Sequence, residues 1–113
     1  LRDFSIPDQK RGINPVPAID KIIHERSRLL ILTHLASNEK REISFNALQE
    51  KLGFTSGNLS VQLKKLRQAG YVDIKKTFKD NKPYTTVSIT MEGIKALNYY
   101  LDEMEGLIKG LRK

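Results

Sequence analysis

An α+β fold, mostly α, is what this 113-residue sequence predicts, and three observations point to it. Apolar residues recur at helical spacing in four separate stretches. A short β-favouring piece, "EIS", and two longer ones, "YVDIKKT" and "YTTVSIT", are interleaved with them. The residues that punctuate these runs are cap and turn formers (Ser44, Gly53, Thr55, Gly70 and Thr90) placed where elements should start or stop. At this length one domain with a real core is expected, not two.

Taken in order, residues 1–18, "LRDFSIPDQKRGINPVPA", hold three of the four prolines and little periodicity. They are expected to form an N-terminal arm. Ile19, Ile22, Ile23, Leu29, Leu30, Leu32 and Leu35 then recur at helical spacing, with Asp20 as a start signal. This predicts a first helix ending around Ala36. "SNEKRE" is a polar turn, and "EIS" suffices only for a short strand. Ser44 is placed to cap a second helix through "FNALQEKLG", which buries Phe45, Leu48 and Leu52 and stops at Gly53. Thr55 caps a third helix that reaches Ala69 and closes at Gly70. The two β runs flank "FKDNKP", whose Asp-Asn and Pro suit a hairpin loop. Thr90 caps a last helix running from Met91 almost to the C-terminus. Two short helices joined by a tight turn and followed by a hairpin make a helix-turn-helix with a wing, in the order α-β-α-α-β-β-α. The expected division is an arm (1–18), a winged helix-turn-helix unit (19–90) and a long C-terminal helix (91–113).

Charge sharpens the reading. The formal net charge is +7, and residues 55–85 hold seven cations against two acids. Charge so concentrated suits a polyanion or an anionic surface, whereas solubility alone does not require it in one segment. On the third helix, at about 100° per residue, Leu59, Leu63 and Leu66 share a narrow stripe flanked by Ala69. Gly57, Asn58, Val61, Lys64, Lys65 and Gln68 occupy the far side, with Ser60 and Gln62 flanking them. The first turn is small and polar, and the later turns are basic. A solvated amphipathic helix is the plain alternative. Against it stand an exposed valine and a first turn without the Asp or Glu that the helix dipole favours. Such a helix start lets the backbone approach base edges and phosphates closely. Asn58 would read adenine, Val61 would meet a thymine methyl, and Lys64 and Lys65 would meet phosphate or guanine.

The hairpin carries Lys75, Lys76, Lys79 and Lys82. Lysines on edge strands also discourage edge-to-edge pairing. Beside a basic helix, contact with phosphate or the minor groove is the better reading for Lys79 and Lys82, with Tyr84 either packed at the wing base or reaching a phosphate with its hydroxyl. In the last helix Ile94, Leu97, Leu101, Met104, Ile108 and Leu111 follow a 3,4 spacing, an a/d heptad seam. Its first turns are expected on the domain's own core and the remainder in a homodimer interface.

Enzyme chemistry is not expected. Cysteine is absent, which excludes disulfides and cysteine-ligated zinc. His24 and His34 lie ten residues apart, with no acid at a metal-ligand spacing. The chain contains no P-loop, Gly-rich dinucleotide fingerprint or Ser/His/Asp set. No cofactor is expected, no apolar run is long enough to span a bilayer, and no signal peptide is apparent. A cytoplasmic location is expected.

"DKIIHERSRLLILTHLAS", "ISFNALQEKLGFTSGNLSVQLKKLRQAGYVDIKKTF" and "KPYTTVSITMEGIKAL" resemble, in order and spacing, the small winged-helix transcriptional regulators related to the MarR and ArsR repressors. The resemblance covers roughly residues 19–108 and leaves the arm outside. It implies a winged-helix fold, DNA binding by the third helix and wing, and a dimer held largely by terminal helices. By motif position it gives Ser56, Gly57, Asn58, Ser60, Val61, Gln62, Lys64 and Lys65 a DNA-facing role, with Lys79 and Lys82 on the wing. The Cys and His clusters of metal-sensing ArsR relatives are missing, as is an obvious large ligand-binding segment of the MarR kind, so the resemblance leaves the effector, if any, unknown.

The resulting DNA-binding set is Thr55, Ser56, Gly57, Asn58, Ser60, Val61, Gln62, Lys64, Lys65, Gln68, Lys79, Lys82 and Tyr84. The leading expectation is a homodimeric, sequence-specific regulator acting on double-stranded DNA. Its rivals are a non-specific architectural DNA-binding protein and a winged-helix protein-interaction module.

Overall fold

Seven elements succeed one another in a computed structural model of the protein, which describes residues 19–112. They are α1 (Arg26–Ser37), β1 (Glu42–Ser44), α2 (Phe45–Leu52), α3 (Ser56–Gln68), β2 (Val72–Lys79), β3 (Lys82–Ile89) and α4 (Met91–Leu111). The order is the expected one. The arm expected over residues 1–18 lies outside the described residues.

α1 begins later than its apolar spacing predicts. Asp20 caps a separate turn: its Oδ1 accepts the N–H groups of Ile22 at 2.9 Å and Ile23 at 3.2 Å. The chain then extends at Glu25 (φ −150°, ψ 131°), and Glu25 becomes the N-cap, its carboxylate accepting the Arg28 N–H at 2.9 Å. Ile23 is nevertheless fully buried, so the periodicity at the start of this segment reports burial, not helix. His24 consequently precedes α1, and its Nδ1 lies 2.7 Å from the Tyr100 hydroxyl.

The other helix boundaries follow local chemistry. Ser44 Oγ accepts the Ala47 N–H at 3.1 Å, and Gly53 ends α2 in the left-handed region at φ 72°. Thr55 Oγ1 accepts the Asn58 N–H at 3.0 Å, which starts α3 at the next residue, Ser56.

The sheet is antiparallel in the order β1-β3-β2. The hairpin loop is shorter than the sequence suggests. Only Asp80 and Asn81 lie outside the strands, both at positive φ (54° and 64°), as a type I′ turn requires. Pro83 therefore sits inside β3, opposite Phe78. In a two-residue hairpin that pair exchanges no backbone hydrogen bonds, and β1 pairs only from Thr86 onward. The missing proline N–H costs no ladder bond there.

One core joins these elements. Ile31, Leu32 and Leu35 of α1, Leu48 of α2, and Leu59, Leu63 and Leu66 of α3 pack with Val72, Val87, Leu97 and Tyr100. Thr90 ties α4 to the hairpin base: its hydroxyl accepts the Gly93 N–H at 2.9 Å and donates to the Gly70 carbonyl at 2.7 Å. No helix among the described residues is long and apolar enough to cross a membrane.

Candidate nucleic-acid interface

Burying Leu59, Leu63 and Leu66 fixes the rotation of α3, so its other side faces out. Ser56, Gly57, Asn58, Ser60, Val61, Lys64, Lys65 and Gln68 are all exposed, and Val61 keeps 51% of its surface. No acid stands in the first turn. A side chain built at Gly57 would meet nothing within 4 Å, so the helix start is open to an approaching ligand. Thr55 is exposed too, with its hydroxyl oxygen engaged as the cap.

Gln62 is placed differently from the rest of the set. It is half-buried, and its Oε1 accepts a hydrogen bond from Arg28 Nη1 at 2.7 Å. Its Nε2 donates to Asn58 Oδ1 at 3.2 Å. Arg28 is buried, and its Nε donates to the Ile22 carbonyl at 2.5 Å. Sequence reasoning missed Arg28. The available signal was its position, three and four residues before the buried Ile31 and Leu32 on the same face of α1.

The hairpin has two faces. Val72, Ile74, Lys76 and Phe78 alternate onto one, opposite Ile89, Val87, Thr85 and Pro83. This face carries the core and α3. Beyond the core it borders an open cleft of about 340 Å³ whose lining includes Ser60, Leu63, Lys64, Arg67, Ile74 and Lys76. Three cations therefore ring an apolar floor. Ion pairs among the described residues are Arg28 with Glu25 and Lys109 with Glu105, and none of these three takes part in one. Lys76 and Arg67 were not in the expected contact set, although the parity of buried Val72 and half-buried Ile74 already placed Lys76 on this side. Phe78, 77% exposed, continues the same face near the turn.

Lys79, Lys82 and Tyr84 fall on the opposite face of the hairpin by the same alternation. Lys79 Nζ sits 5.0 Å from the centre of the Tyr84 ring, a cation–π contact. Tyr84 is half-buried beside Ser44 and Asn46, where α2 begins.

The α4 seam divides as expected for its first turns. Leu97 is buried and Ile94 packs against the core; Met104, whose place beyond Leu101 predicts the dimer interface, packs against the core as well. Leu101, Ile108 and Leu111 are 44%, 48% and 86% exposed. Among the described residues no cluster of His, Cys, Asp or Glu could hold a metal ion.

A helix-turn-helix that turns an acid-free, basic face outward beside a lysine-bearing hairpin defines a winged-helix module of the nucleic-acid-binding class. The model of the winged helix DNA-binding domain family matches residues 27–108, and the chain belongs to that family. It is 38% identical over 91 residues to an uncharacterised protein of Methanocaldococcus jannaschii, covering 80% of this chain and 97% of that one. Among solved structures, a transcriptional regulator homologue from Pyrococcus horikoshii OT3 aligns with a TM-score of 0.72 at 31% identity, over 80% of this chain and 87% of that chain. The S. aureus MepR–DNA complex shares the fold at a TM-score of 0.65 and 14% identity, over 81% and 73% of the two chains. The protein is thus a small winged-helix protein of the DNA-binding kind, with a fold that MarR-family transcriptional regulators share.

Proposed function

We propose that the protein is a homodimeric, sequence-specific regulator that lays α3 in the major groove of double-stranded DNA. The hairpin follows the backbone or enters the adjacent minor groove. The observation that carries this reading is the outward face of α3. Its open, acid-free start suits close approach to base edges, and Lys64 and Lys65 behind it suit phosphate. Asn58 and Val61 are the base readers, Ser56, Gly57 and Ser60 permit the approach, and Gln68, Lys79, Lys82 and Tyr84 serve the flanks. Residues 19–90 act as the DNA-binding unit and 91–113 as the dimerisation element.

Fluorescence anisotropy on labelled duplexes, at two salt concentrations and with random duplex as competitor, tests it. Binding should weaken steeply with salt as condensed counterions are released, yet resist the competitor. Replacing both Lys64→Glu and Lys65→Glu should abolish it. Unchanged affinity in that double variant rules out α3 as the contact. Equal competition by random DNA indicates an architectural protein, and no binding at low salt indicates a protein-docking module.

A further inference from the structure

We infer that Arg28 and Gln62 are positioning residues that set which way round Asn58 presents its side-chain amide to a base. The inference rests on the DNA-reading function proposed above. A guanidinium is donor-only, so Arg28 Nη1, 2.7 Å from Gln62, requires the oxygen of that amide to face it. The Gln62 nitrogen must then point the other way, toward Asn58, where it donates to Oδ1 at 3.2 Å. Asn58 is left with its Nδ2 hydrogens and one Oδ1 lone pair for a ligand. Adenine's N7 and N6–H in the major groove accept and donate in that combination.

The orientation starts from a fixed point. Arg28 is buried, its Nε is tied to the Ile22 carbonyl at 2.5 Å, and Glu25 lies 3.9 Å from Nη1. Asn58 is itself anchored through its backbone N–H to the Thr55 cap. An exposed asparagine without such support samples both amide orientations, and selection between bases falls accordingly. Here the order runs from a buried cation through one glutamine to the reading group.

The test selects preferred sites from a randomised duplex pool with the wild type, then measures relative affinity at every position for Asn58→Ala, Gln62→Met and Gln62→Glu. Gln62→Met removes both links without adding charge. Gln62→Glu keeps an acceptor for Arg28 but has no donor for Asn58, whose amide turns to donate to the new carboxylate. Preference at the one base pair that Asn58→Ala identifies should fall on the order of tenfold in both Gln62 variants. Preferences elsewhere should persist, and the added charge of Gln62→Glu lowers affinity for all sites alike. In the free protein, Gln62→Met should also move the Asn58 side-chain amide resonance toward its random-coil position.

Retained preference in both Gln62 variants overturns the inference while leaving DNA reading intact. So does an Asn58→Ala variant with no position-specific effect, or an unmoved Asn58 resonance. A wild type that binds no duplex overturns both proposals, and a shifted resonance then marks the bonds as a structural tie alone.

Discussion

Asp20 engages both of its carboxylate oxygens. Oδ1 accepts the Ile22 and Ile23 N–H groups, and Oδ2 accepts the Tyr71 hydroxyl at 2.6 Å. Burial, the hydrogen bond to Asp20 and the nearby negative charge push the Tyr71 pKa up from 10.0 to about 12. A pKa raised on folding means that the folded state holds the phenolic proton more tightly than the unfolded chain does. The resulting stabilisation is fully present below pH 10 and is lost as pH rises through about 12. Thermal melts between these pH values should show the wild type losing stability more steeply than Tyr71→Phe. Comparing the two removes the contribution of other groups titrating there. Parallel slopes would exclude the Asp20–Tyr71 bond as an anchor of the segment before α1. At this scale local chemistry was legible and distant chemistry was not. The caps Ser44, Thr55 and Thr90 each bond an N–H three residues ahead, within reach of inspection. Arg28 and Gln62 are 34 residues apart, and nothing short of the folded core brings them together.

At the scale of elements, the hairpin and α4 meet closely. Thr90 donates its backbone N–H to the Tyr71 carbonyl at 3.0 Å, and Gly93 lies directly against that carbonyl and the Ile89 side chain. A methyl group at Gly93 would land on a backbone oxygen, which cannot rotate away. Gly93→Ala should destabilise the fold by about 1–3 kcal/mol, measured by urea unfolding. A neutral result would mean that α4 can shift on the hairpin. This close approach was hidden in the sequence, where Gly93 stands in an unbroken helical pattern. The hairpin shows the same divide. Alternation placed its strands correctly, yet "FKDNKP" contains enough turn formers to suggest a longer loop. The type I′ geometry at Asp80 and Asn81 settles it at two residues, because that twist matches the strands. α1 errs in the other direction: an apolar period continued through a turn that Asp20 caps separately.

For the molecule as a whole, α4 raises the question of what covers its far end. Its 21 residues span about 32 Å at 1.5 Å per residue, and its buried positions, Gly93, Leu97 and Tyr100, all lie in the first half. The second half contains Gly106 and Gly110, each about 1 kcal/mol less favourable than alanine in a helix. A helix end so composed needs packing to hold it, and the exposed Leu101, Ile108 and Leu111 offer the surface. A second copy of the chain would cover this face and place two α3 helices about one helical turn of DNA, or a multiple of it, apart. Replacing Leu101→Glu and Ile108→Glu together should therefore convert a dimer to a monomer in sedimentation equilibrium without unfolding residues 19–90. It should also weaken binding to a two-fold DNA site far more than to a single half-site, because the second half-site is then no longer tethered to the first. If the double variant stays dimeric, the interface lies elsewhere. If the wild type is already monomeric at micromolar concentration, pairing must come from the DNA itself.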